Sequence, residues 1–299
     1  YDTLVNFMPL NQIRGVNKLF TTVNDKLPDD GLWVCCYEPQ SVTKRNILHR
    51  YPPVLNWLYY IAFFLYKRVL PKMIMTSRLY FDITEGKDRV LSKAEVLGRL
   101  CYCGFEIVTE RKIGDLNYVI ARRQFRPQLT NRRLYGIFVK LKRVGKGGKK
   151  FNVFKLRTMH PYSEFLQAYI YDRYSLQEGG KFNHDIRVTT LGRIARKYWL
   201  DELPMLLNLI KGDMKLVGVR PISQHYFSLY SPELQTKRIC HKPGLLPPFY
   251  ADMPKTLEEI EASEMRYLTM CEEKGTFKTD IIYFWRIFYT IVFKRARSH

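Results

Sequence analysis

The stretch that most constrains this chain runs from Pro53 to Phe81. It opens with Pro53-Val-Leu-Asn-Trp-Leu-Tyr-Tyr-Ile-Ala-Phe-Phe-Leu-Tyr66, an apolar and aromatic run. Lys67 and Arg68 follow, then Pro71, then an amphipathic stretch ending at Phe81. A helix that crosses a bilayer needs about 20 continuous apolar residues. The first run is shorter than that, and the charges fall in the middle of the whole stretch. Pro71 lacks the N–H that helix continuation needs, so the helix must break there. Two readings fit. Two half-helices meeting at Pro71 would form a re-entrant hairpin that enters and leaves one leaflet, with Lys67 and Arg68 snorkelling or paired. Alternatively, the run is a core helix kinked at its proline.

The sequence on either side reads as α/β. Asp2–Asn6 and Leu32–Cys36 are short strands, with a turn at Leu27-Pro-Asp-Asp-Gly31 before the second. Ser92-Lys-Ala-Glu95 is a capping box. Val96, Leu97, Leu100 and Cys101 then share one helix face, and Gly104 ends that helix. Strands starting at Phe105 and Tyr118 flank Gly114-Asp115. Residues 1–52 and 86–130 together therefore read as one accessory module, from which 53–85 is an excursion. The module resembles the later half of a methyltransferase-like α/β fold, without a preceding G-x-G-x-x-G. Because the chain starts at Tyr1, it reads as the C-terminal part of a longer protein. The six cysteines include neighbours too close for an ordinary disulfide and no Cys-x-x-Cys, so they read as free thiols of a reducing cytoplasm.

From residue 131 an α+β catalytic domain is expected to the end of the chain. Tyr135–Lys142 and Lys150–Arg157 alternate as strands around Gly145-Lys-Gly-Gly148. That turn lacks the Gly-Lys-Ser/Thr of a phosphate loop and reads as a hairpin. Residues 161–174 read as helix, and Gly179-Gly180 as a break. A further helix carries Arg193, Arg196 and Lys197. Glu202–Ile210 reads as an amphipathic helix with Leu203, Leu206, Leu207 and Ile210 on its buried side. Lys215–Val219 is a strand, Pro243–Pro248 a loop, and residues 222–239 and 256–271 are helical. Asp280–Phe293 is apolar and aromatic and runs into Lys294-Arg-Ala-Arg297. This is the pattern of an interfacial helix with a basic flank, with a core helix as the alternative.

The balance of 49 Lys+Arg against 28 Asp+Glu gives a formal charge of +21. That excess favours anionic partners: nucleic acid, phosphorylated substrates or acidic headgroups. Nucleic-acid binding would use the basic and aromatic residues, but leaves two short apolar helices unexplained. Within this basic background Asp201 and Glu202 are adjacent. Two ionised neighbours repel, and a divalent cation such as Mg²⁺ or nearby arginines would relieve that. Arg196 and Arg220 are candidates to grip phosphate oxygens. A fixed carboxylate can also attack phosphorus to give an acyl phosphate. Taken alone, Asp-Glu at a helix start is equally what the macrodipole favours.

The ensemble is more specific. Lys155-Leu-Arg157-Thr-Met159, Asp185-x-Arg187-x-x-Thr190-x-Gly192, Leu200-Asp-Glu-Leu-Pro204, and Asn208-x-x-Lys211-Gly-Asp-Met-x-Leu-Val-Gly-Val-Arg220-Pro221 occur in that order, followed by Lys242-Pro-Gly244. This set resembles the bacterial sugar transferase family, the monotopic phosphoglycosyl transferases, strongly over about residues 135–245. The resemblance implies a monotopic enzyme on the cytoplasmic face of the cell inner membrane. Such an enzyme moves a sugar 1-phosphate from a UDP-sugar to polyprenyl phosphate and starts a surface glycan. By the same resemblance Asp201 is the nucleophile, and Glu202 helps it hold Mg²⁺. Arg220 and Arg196 lie near the donor phosphates. Lys155, Arg157, Arg187 and Pro221 join the substrate-binding set, and Leu70-Pro71 stands where the family breaks its re-entrant helix. A homodimer is a candidate assembly.

The chain departs from the pattern in three places. Gly218-Val219 replaces the family's glycine-proline. Leu245–Asp252 replaces a glycine- and glutamine-containing segment. Residues 88–130 intervene between hairpin and catalytic domain. The competing readings are an inactive membrane scaffold, with Asp201 only capping a helix, and a basic nucleic-acid-binding protein.

Overall fold

The structure, a computed structural model, describes residues 2–73, 75–127, 134–173 and 185–293. It divides into two compact units. The first holds Tyr1–Ile137, Met159–Ser175 and Phe182–Val188; the second holds Phe138–Thr158, Leu176–Lys181 and Thr189–His299.

In the first unit the run Leu32–Tyr37 (β2) lies between Thr3–Val5 (β1), with which it pairs parallel, and Leu116–Arg123 (β4), with which it pairs antiparallel. Phe105–Ile113 (β3) completes a four-stranded sheet as the hairpin partner of β4, around Gly114 at φ +59°. Helices Val16–Lys26 (α1), Gln40–Arg50 (α2) and Lys93–Tyr102 (α5) connect the strands. The capping box forms: the Ser92 side chain accepts a hydrogen bond from the Glu95 N–H. Phe20 of α1, Leu97 and Leu100 of α5, and Trp33, Phe105 and Val119 of the sheet are buried in one core. Tyr162, Leu166 and Ile170 join that core, from the 3-10 turn Ser163–Leu166 and the helix Gln167–Arg173 (α6) with its approach. Met159–Ser175 thus packs with the first unit, although in sequence it lies beyond residue 131.

The excursion contains Leu55–Phe64 (α3), a wider turn Leu65–Val69, a 3-10 turn Leu70–Lys72, and Ser77–Thr84 (α4). Helical backbone continues through Pro71 and ends at Met73, which is extended. Asn11 closes the base of the excursion. Its amide donates to the carbonyls of Glu38 and Arg89, and its side-chain oxygen accepts from the Glu38 N–H. No residue of α3 is buried; Leu58 is 61% exposed. The bend is the opposite case, since Arg68 and Pro71 are buried. Arg68 donates to Glu95 at 2.6 Å, to the Val90 carbonyl, to the Ser92 hydroxyl and to His160 Nδ1. Lys72 lies 2.7 Å from the same Glu95. Of the two fates expected for the bend's charge, pairing holds for Arg68. Exposed apolar side chains run along α3 and continue at Leu65 and Tyr66 of the turn, at Met75, and at Leu79 and Ile83 of α4.

The second unit begins with the antiparallel hairpin Phe138–Val144 (β5) and Lys150–Leu156 (β6). Gly147 and Gly148, at φ +69° and +71°, make its turn, which is a hairpin as the sequence implied. The helix Thr190–Lys197 (α7) is capped by Thr189, whose hydroxyl accepts from the Gly192 N–H. A 3-10 turn Leu200–Met205 leads into Leu206–Ile210 (α8). Lys215–Val217 (β7) pairs parallel with Gly244–Leu246 (β8), so the expected loop at Pro243–Pro248 contains a strand. Gln224–Ser228 (α9) and Pro232–Ile239 (α10) replace the single helix expected over 222–239. Phe249–Asp252 (α11), Leu257–Lys274 (α12) and Thr276–Phe293 (α13) follow. Tyr283 and Ile287 of α13 sit in a core with Leu234, Tyr250 and Tyr267. Lys215, held 2.8 Å from Asp280, ties α13 to β7. The outer face of α13 leaves Trp285, Phe288 and Phe293 exposed. The expected break at Gly179-Gly180 and the basic flank 294–297 lie outside the described residues.

One expectation is reversed. Leu203, Leu206, Leu207 and Ile210 are on the exposed side, with Ile210 at 82%. The buried positions are Asp201, Glu202, Met205 and Asn208. The 3-10 turn changes the angular spacing, and Asn208 explains which face wins. It is fully buried, donates to the Asn152 carbonyl and accepts from the Phe154 N–H, so the polar side of the segment is bonded to β6. Among the described residues, no helix is long and apolar enough to cross a membrane.

Candidate active site

The site is built in the second unit, on the floor made by β6 and the 3-10 turn. Trp199, at φ +60°, turns the chain out of α7 and starts the Leu200–Met205 turn. This directs Asp201 and Glu202 inward, where they are 6% and 8% exposed. Lys155 of β6 donates to Glu202 Oε1 at 2.8 Å. Oδ1 of Asp201 is buried and has no hydrogen-bond partner among the described residues. Burial raises the Asp201 pKa from its ordinary 3.8; Lys155 and Arg196 pull it back and Glu202 pushes it further up. The two neighbouring carboxylates therefore differ: one is matched by a lysine and the other is desolvated.

Thr158, just after β6, positions the next group. Its carbonyl accepts from the Thr189 N–H and hydroxyl, and its hydroxyl accepts from Arg196 Nε at 3.0 Å. Gly192 is obligatory at this crossing, because a Cβ there would stand 2.0 Å from the Thr158 carbonyl oxygen. This accounts for Gly192 of the motif; the threonine that caps the helix is Thr189, one residue before the Thr190 of the sequence pattern.

Arg220 and Pro221 enter by another route. Gly218 and Gly244 pass so closely that a Cβ on Gly244 would lie 2.1 Å from the Gly218 nitrogen. Side chains at either place would separate β7 from β8. The Arg220 carbonyl accepts from Arg238 at 2.6 Å, and Arg238 is itself buried against Glu264. The Arg220 guanidinium lies over the Phe249 ring, 5.4 Å from its centre.

A cleft of about 250 Å³ takes in some of these groups; Asp201 is not among its lining residues, while its neighbour Glu202 is. Lys155, Glu202, Arg220 and Pro221 line it, together with Arg143, Ser223 and Tyr226. Arg143 was not singled out from the sequence. Burial, and then the nearby Arg220 charge, lower its pKa, which marks two guanidiniums sharing one space. The alternation of β5 carried the signal, since Arg143 falls on the inward side with Val139 and Leu141. Arg157 and Arg196 do not line the cleft. Arg187 belongs to the first unit, where it is bonded bidentately to Asp185 and also to Gln167.

No group of three or more His, Cys, Asp or Glu side chains that could hold a metal occurs among the described residues. The residues nevertheless fit a hard cation sharing its coordination with substrate oxygens. The buried Oδ1 of Asp201, without a partner among the described residues, has the chemistry such a ligand needs, and Glu202 adjoins it.

A desolvated carboxylate with a lysine, next to a cleft holding two guanidiniums, defines a site suited to phosphorylated anions. The bacterial sugar transferase family model matches residues 128–294, more than half of the chain, and the chain belongs to that family. It is 38% identical over 109 residues to an uncharacterized sugar transferase, EpsL, of Bacillus subtilis, covering 36% of this chain and 48% of that protein. It is 39% identical over 108 residues to an undecaprenyl-phosphate galactose phosphotransferase of Salmonella typhimurium, covering 34% of this chain and 22% of that protein. A UDP-N-acetylgalactosamine-undecaprenyl-phosphate N-acetylgalactosaminephosphotransferase of Aeromonas hydrophila is 36% identical over 107 residues, 34% of this chain and 22% of its own length. The matched region is thus under half the length of each of these relatives.

Proposed function

We propose that this chain transfers a sugar 1-phosphate from a UDP-sugar to polyprenyl phosphate on the cytoplasmic face of the inner membrane, initiating a surface glycan. The observation that carries the mechanism is the buried, unpartnered Oδ1 of Asp201 beside the cleft that Arg143, Lys155 and Arg220 line. An Asp201 oxygen attacks the sugar-bearing phosphorus. The bond from that phosphorus to the bridging oxygen breaks, and UMP leaves with the oxygen and the electron pair. A polyprenyl phosphate oxygen then attacks the phosphorus of the acyl phosphate. The Asp201 carboxylate is regenerated and a lipid-linked diphosphate sugar departs. This is a ping-pong route with a covalent phosphosugar on Asp201.

The residues have separate tasks. Arg143 and Arg220 neutralise donor phosphates so that an anion can approach an anion. Lys155 holds Glu202 and draws negative charge away from Asp201. Thr158 fixes Arg196 at the entrance to the turn. Asp201 and Glu202 would hold Mg²⁺, which when bound supplies charge neutralisation at the phosphates.

The apolar faces left uncovered within each unit support the membrane reading: α3 in the first, and in the second the Leu203–Ile210 face and the outer side of α13. Faces of this size mark lipid or partner contact. A nucleic-acid role leaves them without a purpose. The decisive measurement is UMP release from a panel of UDP-sugars with polyprenyl phosphate and Mg²⁺. It is combined with trapping of labelled sugar phosphate on the protein in the absence of lipid. Labelling that survives Asp201→Asn would refute the assigned nucleophile.

A further inference from the structure

A second cavity, of about 150 Å³, lies entirely within the first unit, far in sequence from Asp201. Its charged lining is Lys67, Lys72, Arg89 and Arg99 against a single acid, Glu95. That carboxylate is already shared among Arg68, Lys72 and Arg99, at 2.6, 2.7 and 2.9 Å. The next acids are outside: Asp88, 4.0 Å from Lys67, and Asp82, facing Arg14, are both exposed. Arg89 spends one nitrogen on the Ile13 carbonyl and Arg99 one on Asn17. The Nε of each is buried without a hydrogen-bond partner among the described residues. Burial pushes the Arg89 pKa down to about 10, with the Arg99 charge adding to the effect.

A fold does not gather this much buried positive charge for stability, because each unmatched cation costs desolvation energy. An anion in the cavity would offset that cost, and forked guanidiniums with two ammonium groups suit a phosphoryl group. The cavity is well below the roughly 300 Å³ at which pockets for drug-sized ligands begin. It therefore takes a phosphoryl group and little of whatever carries it. Lys67 and Pro71 come from the excursion, whose arm α3 exposes its apolar side chains. A lipid phosphate can therefore reach the cavity as well as a free one.

We propose that the cavity walled by Lys67, Lys72, Arg89 and Arg99 is a phosphate-monoester site, separate from the Asp201 cleft. It does not depend on the reaction assigned to that cleft. The test uses the full chain in neutral detergent and on vesicles. Binding is measured to inorganic phosphate, to phosphatidylcholine vesicles with phosphatidate, and to vesicles of equal charge with phosphatidylglycerol, a diester. Phosphatidate is expected to bind more tightly than phosphatidylglycerol. Lys67→Gln and Arg89→Gln are each expected to weaken it about tenfold, the worth of one charge-assisted hydrogen bond. Lys67 makes long contacts, 3.4 Å to the Lys87 carbonyl and 4.0 Å to Asp88, so its variant should keep the wild-type melting temperature even if Arg89→Gln does not. Inorganic phosphate competing with phosphatidate supports a site for the free anion; phosphatidate binding alone supports a lipid site. Equal binding of the diester, or monoester binding indifferent to Lys67→Gln, overturns the proposal. UMP release is read separately, so the two assignments can fail independently.

Discussion

Lys155 Nζ lies 2.8 Å from Glu202 Oε1, while the buried Oδ1 of Asp201, one residue earlier, has no partner among the described residues. Adjacent carboxylates have been given different environments. That is how a fold assigns two roles to one residue type. Glu202 is paired with Lys155; Asp201 is desolvated, which suits the nucleophile proposed for it.

Asp201→Asn should therefore separate activity from stability. UMP release is expected to fall by about a thousandfold or more, as for loss of a nucleophile. The melting temperature should hold or rise, because the substitution removes a buried carboxylate with an unsatisfied oxygen. Glu202→Gln should lose less activity and more stability, since Lys155 then loses its counter-charge. Differential scanning fluorimetry beside a UMP assay reads both.

The pH dependence of Asp201 has a definite sign. Its pKa in the folded chain lies above the ordinary 3.8, mainly through burial. Attack requires the ionised form, so kcat/KM should fall on the acid side at a pH above 3.8. The contribution to stability runs the other way. The folded state binds the proton first, so this group costs stability above its folded pKa and relieves that cost as pH falls through it. Comparing the acid limb of the rate with that of an Asp201→Glu variant checks the assignment.

Glu95 carries the opposite sign. Burial pushes its pKa up, but Lys72, Arg68 and Arg99 outweigh this and hold it well below the ordinary 4.5. Its contribution is therefore present above 4.5 and is lost as pH falls through the lower folded value. Glu95→Gln should destabilise the chain by about 3–5 kcal/mol at neutral pH, because it leaves buried cations unmatched. A urea titration monitored through the tryptophans measures the change.

Membrane attachment should depend on the arm and not the bend. Leu58→Asp and Ile61→Asp place charge on positions of α3 that are 61% and 51% exposed. Each should weaken vesicle binding by roughly 1.5–3 kcal/mol, the value of one buried apolar side chain. Arg68→Gln should instead act on stability, through loss of its bonds to Glu95 and Val90. Vesicle flotation at fixed salt distinguishes the two. Equal flotation of wild type and the Leu58 and Ile61 variants would refute the surface assigned to α3.

Local rules in the sequence carried a large part of this protein. The Ser92 capping box, the Gly114 and Gly147-Gly148 hairpins, the strand at Leu32 and the break after Pro71 all rest on short-range sterics and hydrogen bonding, which neighbours in the chain specify. Motif order brought Asp201, Glu202 and Arg220 into view before any coordinates did. Tertiary structure decided which face goes inside. The leucines of Leu203–Ile210 point out because Asn208 takes three polar partners from β6 and Asp213, a long-range bonding choice that periodicity does not encode. Arg143 reaches the cleft, and Arg187 bonds Gln167 beside its near neighbour Asp185, for the same reason: the direction of a long side chain is fixed by what the fold puts beside it. The Pro53–Phe81 stretch shows the division most clearly. Its apolar run and its proline determined a broken helix, while Glu95, distant in sequence and buried in the fold, decided that Arg68 and Lys72 would anchor the bend to the protein.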